Sequence, residues 1–237
     1  GQVFTVVDPR TGGWLVDHVL DKAGQKGTGK WTVQMALDLG VSIPSIAAAI
    51  DARVLSSMKD ARVAASAVLR GPAAPPAVAD VGALTADVHD ALYAAKLVAY
   101  AQGTALIRAG SDKYAWGIAL DELARIWKGG CIIRARVLDT IMHAYKRDPA
   151  LASLLLDPGI AAALDAAQGA WRRVIALAIA HGIPVPAMAS SLAYYDSYRT
   201  AALPQNLTQA QRDAFGSHTY QRSDAPAEGF VHTDWLP

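Results

Sequence analysis

Lysine, arginine and glycine carry the chemistry open to this sequence. Asp21-Lys22-Ala23-Gly24-Gln25-Lys26-Gly27-Thr28-Gly29-Lys30-Trp31 is a glycine-punctuated basic loop that runs directly into an amphipathic helix. Gly24, Gly27 and Gly29 permit tight turns and close approach of backbone to a ligand. Lys26 and Lys30 add positive charge, and a helix opening near Thr28 offers free N–H groups and the positive end of its dipole. These features suit an anion. For an isolated motif of this kind a helix start with a flexible lead-in is the commoner case, because short glycine motifs are weak signals. The loop is not a Walker loop: its glycines are too closely spaced and no Lys-Ser/Thr pair ends it.

Arginine binds phosphate and carboxylate through two parallel hydrogen bonds. Beside Lys26, the candidates are Arg53 on the next helix, and Arg212 with His218 around a helix near the C-terminus. From spacing alone a surface salt bridge is the commoner role for any one of them. The six histidines are scattered at 18, 89, 143, 181, 218 and 232 and show no metal spacing. No Gly-x-Gly-x-x-Gly follows a strand and no Gly-x-Ser-x-Gly elbow occurs, so a Rossmann unit and an α/β-hydrolase site are not expected here. Cys131 reads as packing rather than as a nucleophile, with Gly129 and Gly130 letting two helices cross closely.

The elements that must position these residues are helical. Of the 237 residues 52% are hydrophobic, rich in alanine and poor in β-branched runs. Charge is nearly balanced at +1, which offers no bulk attraction for nucleic acid. One cysteine excludes an internal disulfide and fits a reducing, cytoplasmic setting. No apolar stretch is long enough for a bilayer. Periodicity predicts helices over about 14–22, 29–39, 44–58, 60–69, 84–109, 114–127, 131–145 and 160–181, with a short helical turn at 151–156. Gly71 to Pro76 is a loop. Thr208-Gln209-Ala210-Gln211 reads as a capping box opening a helix that Gly216 closes. A polar, extended tail follows.

Two segments repeat. Gly40 to Ile50 and Gly182 to Leu192 align without gaps, each with a helix-ending glycine, a helix-opening proline (Pro44, Pro186) and an apolar stripe. Each follows a Trp-bearing helix. The expected architecture is all-α: residues 1–12 as the remnant of a preceding segment, a duplicated helical domain over 13–203, and a C-terminal helix and tail over 204–237.

The stretch from Asp21 to Trp31 resembles a signature of the decarboxylating 6-phosphogluconate dehydrogenases. So do Ala52-Arg53-Val54-Leu55-Ser56-Ser57-Met58-Lys59-Asp60, Ile126 to Arg134, Leu203 to Asp213 and Phe215-Gly216-Ser217-His218-Thr219-Tyr220. The ending His232-Thr233-Asp234-Trp235 is similar to the family's terminal motif. The resemblance implies that Lys26, Thr28 and Arg53 contact the sugar phosphate, and that Arg212 and His218 reach it from a second subunit. It implies a homodimer with tail exchange, NADP as hydride acceptor, and oxidative decarboxylation of 6-phosphogluconate to ribulose 5-phosphate in the pentose phosphate pathway. The family's Rossmann domain and catalytic lysine and glutamate lie upstream of where this sequence begins. The resemblance therefore implies a C-terminal part with no catalytic residue of its own. The alternative is a non-catalytic helical module for dimerisation or sugar-phosphate binding.

Overall fold

The computed structural model describes residues 2–24 and 26–235, so Gln25 of the basic loop lies outside them. The helices are α1 (Thr28–Asp38), α2 (Pro44–Ser57), α3 (Lys59–Ser66), α4 (Val81–Tyr114), α5 (Leu120–Ile126), α6 (Val137–Arg147), α7 (Pro158–Ala180), α8 (Pro186–Tyr198) and α9 (Gln205–Gly216). Two-residue strands β1 (Tyr220–Gln221) and β2 (Phe230–Val231) pair antiparallel, with Tyr220 opposite Val231. The chain divides between Tyr194 and Tyr195 into two compact units.

In the first unit α4 packs along α7. Ala91, Ala94, Leu97, Val98 and Ala101 of α4, and Leu164, Ala167, Trp171, Val174 and Ala178 of α7, are buried. Small residues on both helices permit close approach, and the large ones fill the space between. Arg173 clamps the pair from outside by two hydrogen bonds to Asp87, of 2.8 and 2.6 Å. Asp80 caps α4 by accepting from the Ala83 amide at 2.9 Å. Asp157 caps α7 by accepting from Gly159 and Ile160, each at 3.1 Å, and is paired with Arg147. A smaller core of Ala36, Ile43 and Leu106 joins α1, α2 and α4.

The repeated segments fold alike. Gly40 and Gly182 have φ of 65° and 66°. The Val41 amide donates to the Ala36 carbonyl and the Ile183 amide to the Ala178 carbonyl, both at 2.8 Å, so both helices end in the same left-handed cap. Pro44 and Pro186 then open α2 and α8. A buried polar knot links the two copies. Ser45 of α2 meets Ser191 of α8 at 2.6 Å, and the Gln102 amide on α4 bonds the Ser45 N–H and hydroxyl at 3.0 and 2.8 Å.

Several boundaries differ from the sequence reading. Residues 14–22 form a 3-10 turn, Leu15–His18, and no α-helix, because Trp14 and Leu15 pair back to Val7 and Val6 while Asp21 bonds to Ser56 of α2 and to Lys59 and Arg62 of α3. The helix expected over 114–127 shrinks to α5, since Ala115 turns left-handed at φ 54°. Residues 131–136 are irregular, and Gly129 and Gly130 sit in a turn with nothing close to them rather than at a helix crossing. Thr208 lies inside α9, which starts at Gln205, so the expected capping box does not form.

Candidate functional site

The basic loop is fastened to α2 and α3 by groups that the fold brings from more than twenty residues away. Ser56 donates to the Asp21 carbonyl and accepts from the Ala23 amide, both at 2.9 Å. Lys59 and Arg62 reach the Asp21 carboxylate at 2.6 and 2.9 Å, and Arg62 also donates to the Asp21 carbonyl at 2.8 Å. The hydrogen bonds from Lys59 and Arg62 hold the Asp21 carboxyl down to about 2. Arg53 donates to the Gly24 carbonyl. The structure thus brings Arg53 to the loop that carries Lys26 and Thr28, and all three are exposed.

Gly27 precedes α1 at φ 77°, and Thr28 is the first helical residue. The first-turn amides of Gly29 and Lys30 have no intrahelical acceptor. Gly29 packs closely: a Cβ there would lie 3.0 Å from the Ile50 Cδ1 and would displace that side chain. That close approach seats the start of α1 on α2. Two or three cations, a hydroxyl and an open helix start form a surface able to take a dianionic group.

The second unit has its own cluster. Asp213 is fully buried, and each carboxylate oxygen accepts two hydrogen bonds. Oδ1 takes the Thr219 N–H and the His232 Nδ1–H, both at 2.9 Å. Oδ2 takes the Thr233 N–H at 3.0 Å and the Trp235 Nε1–H at 2.8 Å. Burial pushes the Asp213 carboxyl up, but these donors together outweigh it and hold it well below the usual carboxylate range. The same hydrogen bond raises His232, with Asp234 3.5 Å away on its other face adding to the effect. Arg212 and His218 are exposed on this framework. Arg212 donates to Gln209 Oε1 at 3.1 Å, and the Gln209 amide donates to the Thr219 carbonyl at 2.6 Å, next to His218.

The five residues singled out from sequence therefore fall into two groups, Lys26, Thr28 and Arg53 in one unit, Arg212 and His218 in the other. Spacing in the sequence singles out none of the supporting residues Asp21, Ser56, Lys59, Arg62, Gln209 and Asp213. Their signal was position: each lies inside or beside one of the quoted motifs. Among the described residues no three His, Cys, Asp or Glu side chains gather as for a metal, and no helix is long and apolar enough to cross a membrane.

Residues 1–235 match the family model described as 6-phosphogluconate dehydrogenase, C-terminal domain. The chain is 56% identical over 234 residues to the decarboxylating 6-phosphogluconate dehydrogenase of Synechocystis, covering 99% of this chain and 48% of that protein. It is 53% identical to the NADP(+)-dependent, decarboxylating enzyme of Bacillus subtilis, covering 99% and 50%. The solved 6-phosphogluconate dehydrogenase of Plasmodium falciparum, studied without ligand, with its cofactor NADP+ and with its substrate 6-phosphogluconate, superposes with a TM-score of 0.89 at 40% identity over 99% of this chain and 50% of that one. The chain spans about half the length of the curated relatives it matches. With its repeated helical units and its anchored basic loop, it belongs to the 6-phosphogluconate dehydrogenase family, whose C-terminal domain it matches over residues 1–235.

Proposed function

We propose that this chain serves as the substrate-anchoring and dimer-forming part of an NADP-dependent 6-phosphogluconate dehydrogenase. The reaction moves a hydride from 6-phosphogluconate to NADP+ and then releases CO2 to leave ribulose 5-phosphate. In this reading Lys26, Thr28 and Arg53 hold the phosphate of one active site, and Arg212 and His218 of a second protomer complete it through an exchanged tail. NADP and the proton-transferring groups are held by residues outside this chain, in the cytoplasm or, as some plant relatives' names indicate, in a chloroplast.

The observation that carries the reading is the attachment of Arg53 to the Gly24 carbonyl, inside the clamped loop. A guanidinium fixed at a basic, glycine-rich helix start suits a phosphate monoester, which needs charge neutralisation and several donors at once. Exposed apolar residues support a partner surface. Ile132 is 99% exposed, and Phe215, Leu207 and Phe230 are all exposed on the second unit. A groove of about 700 Å³ lined by Ile46, Leu92, Ala99, Val185 and Met188 adds more apolar surface in the first unit.

The test is substrate affinity in the full-length enzyme with Lys26→Ala and Arg53→Ala. Loss of one charge-assisted contact costs about 1.5–3 kcal/mol, so the KM for 6-phosphogluconate should rise about tenfold or more in each variant. Unchanged KM in both would overturn the assignment of Lys26 and Arg53 to the phosphate.

A further inference from the structure

His218 sits between two residues in left-handed backbone. Ser217 has φ of 49° and Thr219 has φ of 56°. This region is uncommon for any residue but glycine, and for a β-branched residue it marks strain that the surroundings must hold in place. Both are held by one residue. The Asp213 carbonyl accepts the Ser217 N–H at 2.9 Å, and its carboxylate accepts the Thr219 N–H at 2.9 Å.

The same framework fixes the side chains. A Cβ on Gly216 would lie 2.9 Å from the His218 Cδ2, so the imidazole lies against a bare Cα, with the Phe215 ring edge-on at 6.4 Å. Gln209 joins the Arg212 guanidinium to the Thr219 carbonyl. The other donors to Asp213 come from the far end of the tail, at His232, Thr233 and Trp235. Its carboxylate is buried and fully engaged, so it has no capacity left for a ligand.

We propose that Asp213 is the positioning residue for Arg212 and His218, which it presents as a pair through the strained Ser217–Thr219 turn once the tail has closed over its carboxylate. The proposal rests on the reading of Arg212 and His218 as substrate contacts. An asparagine at this position keeps the shape but turns an N–H2 group toward two donors, so the turn loses its closure without a cavity.

The experiment measures kcat and KM for 6-phosphogluconate in the full-length enzyme carrying Arg212→Ala, Asp213→Asn, or both. Asp213→Asn should raise KM about tenfold with kcat kept within about threefold, and the double variant should fall clearly short of the product of the two single effects, because the part of the Asp213 effect that acts through Arg212 is already gone while the part that acts through His218 remains. Full additivity, or a fall in kcat at unchanged KM, would overturn the proposal and leave Asp213 a structural residue. If Arg212→Ala itself leaves KM unchanged, the substrate reading fails instead. If Asp213→Asn does not accumulate as folded protein, Trp235→Phe, which removes one donor and keeps the ring, decides. A KM rise of about two- to threefold supports positioning, and an unchanged KM overturns it.

Discussion

The basic loop and the C-terminal tail solve one problem in opposite settings. In each irregular segment the carboxylate of one aspartate collects several donors. Asp21 does this at the surface, with its side chain 56% exposed, against Lys59 and Arg62. Asp213 does it in full burial, against two backbone amides, an imidazole and an indole. Exposed ion pairs are screened and contribute little each, whereas a buried carboxylate is costly unless every lone pair is met. The loop is therefore the adjustable region and the tail the all-or-none one. Under the proposed function, admitting and releasing a phosphate suits the first setting, and presenting Arg212 and His218 in fixed geometry suits the second.

The largest contrast should come from deleting the two carboxylates. Asp213→Ala leaves four donors without their acceptor and should abolish hydrogen-exchange protection at the Thr219 and Thr233 amides. Asp21→Ala should leave protection of α2 and α3 at its original level and loosen only residues near Ala23. Equal loss of protection in both variants would break the comparison.

A pH series should show a smaller difference. Asp21 and Asp213 both sit below the ordinary carboxylate value, so the stability each contributes is present above about 3.8 and is lost as pH falls through the folded value. His232 is raised above 6.5, so its contribution is complete below 6.5 and is lost as pH rises through its folded value. The tail should thus loosen at both ends of the range and the loop only at the acidic end. Chemical shifts of Trp235 and Ala23 followed by NMR would report the two regions. An alkaline transition at Trp235 that survives His232→Gln would contradict the assignment.

Salt should produce the smallest effect. Raising ionic strength to about 1 M shortens the screening length to about 3 Å, which weakens the Asp21 pairs and leaves the Asp213 bonds intact. Protection at Ala23 should fall slightly while that at Thr219 stays constant.

Local chemistry made much of the helical framework legible. Gly40 and Gly182 terminate helices because only a residue without a Cβ takes positive φ at no steric cost, and Pro44 and Pro186 open helices because φ is already set. Those rules span a few residues, so the repeat could be read directly. The five candidate site residues were legible for a different reason, their place in motifs that resemble a known family. Arg53, for example, stands within Ala52 to Asp60, but nothing near it in sequence indicates the Gly24 carbonyl to which it donates.

Tertiary structure decided the rest, because the partners lie far apart along the chain. Ser56 is 35 residues from the Asp21 carbonyl, and Trp235 is 22 from Asp213. Asp21, Ala23 and Gly24 are kept out of a helix by hydrogen bonds to α2 and α3, while the Lys22 amide turns back to the Leu20 carbonyl. Helix α9 starts at Gln205 although Thr208 offers a cap, and Thr219 accepts a left-handed backbone that its side chain disfavours. By itself the sequence determined where helices begin and end through residues with special backbone preference. Only the packed structure decided which carboxylates are buried and fully bonded, since that depends on donors that meet once the chain has folded.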